Sequence, residues 1–229
     1  MAAAPPPHSS DRRALAAWID HTLLRPEARE RDVEILCEEA ASAGFAAVCV
    51  NPVHVALCRK RLARSGVKVA TVVGFPLGAT FPEVKAEEAR RAEEAGAEEL
   101  DMVLAVGFLK SGRLDRVTAD LEAVARGRAT GVLLKVILET SLLTEEEKVV
   151  ACKLALEAGA DFVKTSTGFA KGGATVEDVR LLRRCVGPSV GVKASGGIRT
   201  LATAVRMLEA GATRLGTSAG MSLLQEIDE

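Results

Sequence analysis

The chain has 229 residues, enough for one large domain with a substantial core, and its 48% hydrophobic and 27% charged residues are an ordinary globular balance. A formal net charge of -1 gives no field that would draw nucleic acid or an anionic membrane, so neither is expected as a partner and an anionic ligand must be held by a local site. Cys37, Cys49, Cys58, Cys152 and Cys185 form no CxxC pair, and His8, His21 and His54 match no metal spacing. A zinc cluster and a disulfide framework are set aside for reduced thiols in a cytoplasmic protein, with no metal and no other cofactor expected.

In chain order, residues 1–10 (MAAAPPPHSS) lack the charged n-region and apolar stretch of a signal peptide. They read as a disordered tail ahead of a single domain over 11–229. No apolar run is long enough to span a bilayer. Strand candidates, short and rich in β-branched residues, follow at 17–22, 46–50, 68–73, 99–105, 132–138, 161–166, 190–194 and 214–216. Amphipathic runs of helical length lie between them, most clearly at 27–43, 81–95, 114–126 and 145–158; Thr144 with Glu147 three residues on is a capping-box signal. Ala-Gly pairs at 43–44, 95–96, 158–159 and 210–211 each close a helix ahead of a strand. Eight such units predict an α/β fold, a closed (β/α)8 TIM barrel with an extra N-terminal helix. A doubly wound open sheet is the alternative, but neither GxGxxG nor GxxxxGK[ST] is present.

Within the middle strands, side chains alternate between two faces. Asp101 lies opposite Leu100, Met102 and Leu104; Lys135 opposite Leu134, Val136 and Leu138; Lys164 opposite Val163 and Thr165; Lys193 opposite Val192 and Ala194. The helix-facing side of a barrel strand must be apolar, so all four ionisable residues are expected inside the barrel, on consecutive strands. Burying ions costs several kcal/mol each and is tolerated mainly at functional sites. The plainer readings are satisfied core ion pairs and a strand-end lysine that snorkels to water. Crowded cations predict at least one neutral amine near pH 7. A neutral amine can attack a carbonyl to form an imine, and a carboxylate such as Asp101 can shuttle protons, a combination suited to C–C bond chemistry beside a carbonyl.

The loops add an anion site. Ala194-Ser-Gly-Gly-Ile-Arg199, with Thr200 as N-cap of the next helix, follows the seventh strand, and Leu215-Gly-Thr-Ser-Ala-Gly220 follows the eighth, leading into a short helix that ends near Gln225. Glycines let backbone N–H groups approach an anion, and barrels place phosphate at these loops; Gly168 after the sixth strand can join them. The ligand expected is a small phosphorylated carbonyl compound.

Lys164-Thr-Ser-Thr-Gly168, Val192-Lys-Ala-Ser-Gly-Gly-Ile-Arg199, Leu100-Asp-Met-Val103, Ile19-Asp-His-Thr-Leu-Leu24 and Leu134-Lys-Val-Ile-Leu-Glu-Thr140 together resemble the deoxyribose-phosphate aldolases, from about Ile19 to Leu224. The resemblance implies a class I aldolase that reversibly cleaves 2-deoxy-D-ribose 5-phosphate to D-glyceraldehyde 3-phosphate and acetaldehyde. It implies Lys164 as Schiff-base lysine, Lys193 as the group that perturbs it and joins in proton transfer, and Asp101 as a proton donor and acceptor working through water. Asp20, Thr22, Cys49, Lys135 and Thr167 would line the substrate pocket, and Gly168, Gly196, Gly197, Gly216 and Ser218 would surround the phosphate. A homo-oligomer, dimer or tetramer, is compatible with it. Two departures stand out: Ala105 replaces an asparagine frequent in the family, and the chain ends at Ile227-Asp-Glu229 where some members carry a tyrosine-ended tail.

Two other readings share these residues. A phosphate-binding barrel isomerase or synthase would rely on Asp101 without an imine, and a sugar-phosphate-binding scaffold would bind without turnover.

Overall fold

The computed structural model describes residues 11–228; the tail expected at 1–10 lies outside them. Eight parallel strands close into a barrel in sequence order: β1 (Ile19–Leu23), β2 (Ala47–Val50), β3 (Lys68–Val73), β4 (Glu99–Val103), β5 (Leu133–Ile137), β6 (Phe162–Lys164), β7 (Gly191–Ser195) and β8 (Arg214–Thr217), with β8 pairing back onto β1. This is the (β/α)8 barrel expected from the sequence. Helices α1 (Arg12–Ala16), α2 (Glu30–Ala43), α3 (Val55–Leu62), α4 (Pro82–Glu94), α5 (Val106–Lys110), α6 (Leu114–Ala125), α7 (Glu145–Glu157), α8 (Val176–Val186), α9 (Leu201–Glu209) and α10 (Gly220–Asp228) complete it. The extra N-terminal helix is α1, held at its start by the Asp11 carboxylate, which accepts the Ala14 N–H at 2.9 Å. Its C-cap, Ala17, and Trp18 form a turn where the sequence reads as strand, so β1 begins two residues later than expected. The last helix runs past Gln225 to Asp228.

Local chemistry explains the element ends. The capping box at α7 forms as expected: the Thr144 hydroxyl accepts the Glu147 N–H at 3.2 Å and the Glu147 carboxylate accepts the Thr144 N–H at 2.8 Å. The repeated Ala-Gly pairs end helices because Gly44, Gly96, Gly159 and Gly211 all take positive φ, from 72° to 110°, where a side chain would be strained. β6 is shorter than the sequence suggests. The Asp161 carboxylate accepts the Leu134 N–H at 2.8 Å before the strand starts, and regular pairing ends at Lys164.

The main core is the layer between barrel and helices, filled from the sheet by Val48, Leu100, Met102, Val136, Val163 and Val192. The barrel interior is divided. One side is small and apolar, with Ala47, Cys49, Ala70 and Val72 from β2 and β3. The other is ionic. Register puts Asp101 beside Lys135, Lys164 beside Lys193 and Lys193 beside Arg214, so strand pairing alone assembles the charged groups.

Candidate active site

All four ionisable residues expected inside the barrel are there, and each is at most 2% exposed. Asp101 is their hub. Its Oδ2 accepts from Lys164 Nζ at 2.8 Å and from Lys193 Nζ at 2.7 Å, and its Oδ1 accepts from Lys135 Nζ at 2.7 Å. The network extends further than β4 to β7. Asp20 on β1 accepts from Lys193 at 2.5 Å and from Arg214 at 2.6 Å, while Glu99 lies 2.6 Å from Lys135 and 3.2 Å from Arg214. Glu99 and Arg214 were missed in the sequence, although Glu99 shares the alternation of Asp101 and a signal was therefore available.

Among the described residues this cluster sets four cations, Lys135, Lys164, Lys193 and Arg214, against three anions, Asp20, Glu99 and Asp101. If all are ionised, one positive charge is in excess. The three lysines differ in how many carboxylates surround them. Lys193 and Lys135 each touch two carboxylates within 2.7 Å, whereas Lys164 touches one. Burial pushes Lys193 down, but Asp101 and Asp20 more than reverse it and hold its pKa above the usual lysine range. Lys135 is likewise pushed down by burial and raised overall by its carboxylates, chiefly Asp101. Lys164 goes the other way: burial lowers it, Asp101 opposes, Lys193 adds to the lowering, and the net is down. Burial is therefore the first cause of the lowered Lys164 pKa and the cationic neighbour the second, an order the sequence did not show. Burial raises Asp101 and Asp20, but the surrounding cations hold both carboxyls well below the usual range, so they remain anions.

A cavity of about 630 Å³ opens at the C-terminal end of the barrel. Of the charged cluster only Lys164 lines it. Thr22, Thr167, Gly168, Gly196, Gly197, Gly216 and Ser218 line it as well. Asp20, Cys49, Lys135, Asp101 and Lys193 lie outside its lining, buried in the barrel, and burial pushes the Cys49 thiol up to about 11. The lining also includes Leu23, Arg25, Phe169 and Arg199, which the sequence reading did not single out.

The three loops form one structure. The Thr165 hydroxyl donates to the Ser195 carbonyl at 3.0 Å, and the Ser195 hydroxyl donates to the Ser166 carbonyl at 2.6 Å. The Thr217 hydroxyl donates to the Ile198 carbonyl at 2.7 Å. A Cβ at Gly173 would sit 2.3 Å from the Gly196 carbonyl oxygen, so the segments after β6 and β7 touch backbone to backbone. The result is a polar, glycine-walled cradle with the Lys164 amine in its lining, suited to an anionic carbonyl compound. A larger groove of about 1220 Å³ lies beside α4, α5 and α6. It contains Ala105 and none of the charged cluster, and Ala105 does not line the cavity at Lys164.

No helix among the described residues is long and apolar enough to cross a membrane. Residues 14–227 match the model of the DeoC/LacD family aldolases. The chain is 61% identical to the deoxyribose-phosphate aldolase of Brevibacillus brevis over 207 residues, 90% of this chain and 93% of that protein. It is 58% identical to the deoxyribose-phosphate aldolase of Thermococcus gammatolerans, covering 92% and 95%. Among solved structures, the tetrameric deoxyribose phosphate aldolase of Aeropyrum pernix superposes with a TM-score of 0.89 at 36% identity, covering 96% of this chain and 93% of that one.

Proposed function

The chain belongs to the DeoC/LacD aldolase family, among its deoxyribose-phosphate aldolases, and from that premise we propose that it cleaves 2-deoxy-D-ribose 5-phosphate reversibly through a Schiff base on Lys164. The observation that carries the reading is the shared acceptor: Lys164 and Lys193 both donate to Asp101 Oδ2, and of the three only Lys164 meets the cavity. The neutral Lys164 amine adds to the C1 carbonyl of the open-chain sugar, and loss of water gives a protonated imine. The imine draws electrons from the C2–C3 bond as the C3 hydroxyl loses its proton. Glyceraldehyde 3-phosphate leaves, and the remaining enamine is protonated at C2 and hydrolysed to acetaldehyde and free Lys164.

Asp101 and Lys193 serve as the proton-transfer pair, with Asp101 acting through water to the substrate. Lys193 also biases Lys164 toward the neutral form. The imine restores at position 164 the positive charge that the neutral amine lacked, and Asp101 stands 2.8 Å from that nitrogen to stabilise it. Thr22 and Thr167 contact the sugar from the lining, while Asp20, Cys49 and Lys135 support the site from within the barrel. Gly168, Gly196, Gly197, Gly216 and Ser218 hold the phosphate.

The same proposal places the enzyme in deoxyribose phosphate breakdown in the cytoplasm, supported by its five free thiols. It includes assembly as a dimer or tetramer, supported by the tetrameric Aeropyrum relative. Borohydride reduction in the presence of acetaldehyde tests the chemistry. A covalent mass increase on Lys164 is expected, and an adduct mapping to another residue overturns the assignment.

A further inference from the structure

Glu139 belongs to the Leu134–Thr140 motif, yet the proposed chemistry gives it no task. Among the described residues it is the one non-glycine with a positive φ, 57° with ψ 62°, in the left-handed region. The cause lies in the strand pairing. Leu138 N–H donates to the Lys164 carbonyl at 2.9 Å, and Thr140 N–H donates to the Thr165 carbonyl at 2.9 Å. The β5 side advances two residues while the β6 side advances one, so Glu139 is the extra residue of a bulge at the barrel rim. Bulges beside active sites re-aim side chains. The Glu139 side chain is turned toward the segment after β6, is only 4% exposed, and its Oε2 accepts both the Thr167 hydroxyl at 2.5 Å and the Thr167 N–H at 3.2 Å. The other oxygen, Oε1, is buried without a partner. The Thr167 hydroxyl in turn accepts the Phe169 N–H at 3.1 Å. Its single proton is thus committed to Glu139 while its oxygen fixes the residue beyond Gly168.

We propose that Glu139 is a positioning residue that clamps the Thr167-Gly168-Phe169 turn to the end of β5 and so holds the Gly168 N–H in place for the phosphate of the substrate. The inference rests on the aldolase reading above and deepens it: the clamp governs recognition of the phosphoryl end, three to five residues past Lys164, and leaves the carbonyl end alone.

The test compares deoxyribose 5-phosphate with unphosphorylated deoxyribose in Glu139→Gly, which removes the carboxylate and suits the left-handed backbone, and in Glu139→Gln, whose amide oxygen can still accept both Thr167 donors. For Glu139→Gly, KM for the phosphorylated sugar is expected to rise about tenfold or more with kcat within about threefold, while kcat/KM for deoxyribose changes less than about twofold. Glu139→Gln should stay within about threefold of wild type on both. Borohydride trapping of acetaldehyde on Lys164 should proceed normally in either variant. Glu139→Asn, which tolerates the left-handed backbone but is one methylene too short to keep both Thr167 contacts, should show the same selective loss and serves if Glu139→Gly fails to fold. An equal fall on both sugars, or a glycine variant that matches wild type, overturns the clamp. A wild-type protein that cleaves neither sugar and traps no acetaldehyde overturns the aldolase reading instead.

Discussion

Replacing Lys193 with methionine removes one charge from the barrel while keeping an unbranched side chain of similar reach. Asp101 keeps Lys135 and Lys164, and Asp20 keeps Arg214, so neither carboxylate is left bare. The charge count of the cluster then balances with Lys164 protonated. The nitrogens of Lys164 and Lys193 both lie within 2.8 Å of Asp101 Oδ2, which sets them at most on the order of 5 Å apart. At that separation, with an effective dielectric constant of roughly 20, the lost repulsion is about 3 kcal/mol, and its removal raises the Lys164 pKa. The reactive form is the deprotonated amine, so activity rises with pH through the Lys164 pKa, and the substitution moves that rise upward. Expected at pH 7 is a loss of kcat/KM of at least about 100-fold, whose electrostatic share is recovered by about tenfold for each unit of added pH, leaving at the alkaline end the loss of Lys193 from proton transfer. The assay is acetaldehyde release from deoxyribose 5-phosphate from pH 6 to 10, with circular dichroism to show an intact fold. A deficit of constant size across that range would refute the electrostatic account, because the whole loss would then be that of proton transfer and none of it a change in Lys164 protonation.

Two stability predictions follow from other buried ions. Lys164 binds its proton less tightly in the folded barrel, chiefly through burial, so protonation opposes folding fully at low pH and the opposition fades as pH rises toward about 10.4. Lys164→Met should be inactive yet more stable than wild type at pH 7, by about 1.4 kcal/mol per unit of lowering; thermal melts in which that advantage grows with pH would contradict it. Lys85 on α4 and Asp120 on α6 pair at 2.6 Å, 0% and 1% exposed, with Lys85 also donating to the Val103 carbonyl at 2.9 Å. Burial pushes the amine down and the carboxyl up, so each leans toward its neutral form. Lys85→Met should cost about 3–5 kcal/mol by leaving Asp120 alone, and Lys85→Met with Asp120→Leu should recover most of it; denaturant melts that rank the double variant below the single one would overturn this.

The barrel and its charged interior were legible because two simple periods carry them. Eight strand-helix units gave the topology, and alternation alone turned Asp101, Lys135, Lys164 and Lys193 inward. Glu99 sits on the face of Asp101 by the same alternation and could have been read with it, whereas Arg214 opens a strand candidate of three residues, too short for alternation to set its face. Lys85 and Asp120 sit in helical runs rich in charge, where a polar position normally means solvent; only the packing of α4 on α6 and the Val103 carbonyl reveal them as buried. The left-handed backbone of Glu139 left no local signature, since it arises from a mismatch between β5 and β6 and its partner Thr167 lies 28 residues away. Which lysine has its pKa lowered also depended on distances: counting carboxylates around each amine needs the closed barrel, and the sequence supplied only the crowd.

The backbone contact between Gly173 and Gly196 has a bearing on protein engineering. Because neither segment can gain even one carbon there without pushing the other, the turns that follow β6 and β7 form a single cassette for recombination. Chimaeras that import one of them from a relative and retain the resident copy of the other should assemble poorly, while exchanging both together should carry the donor's ligand preference intact.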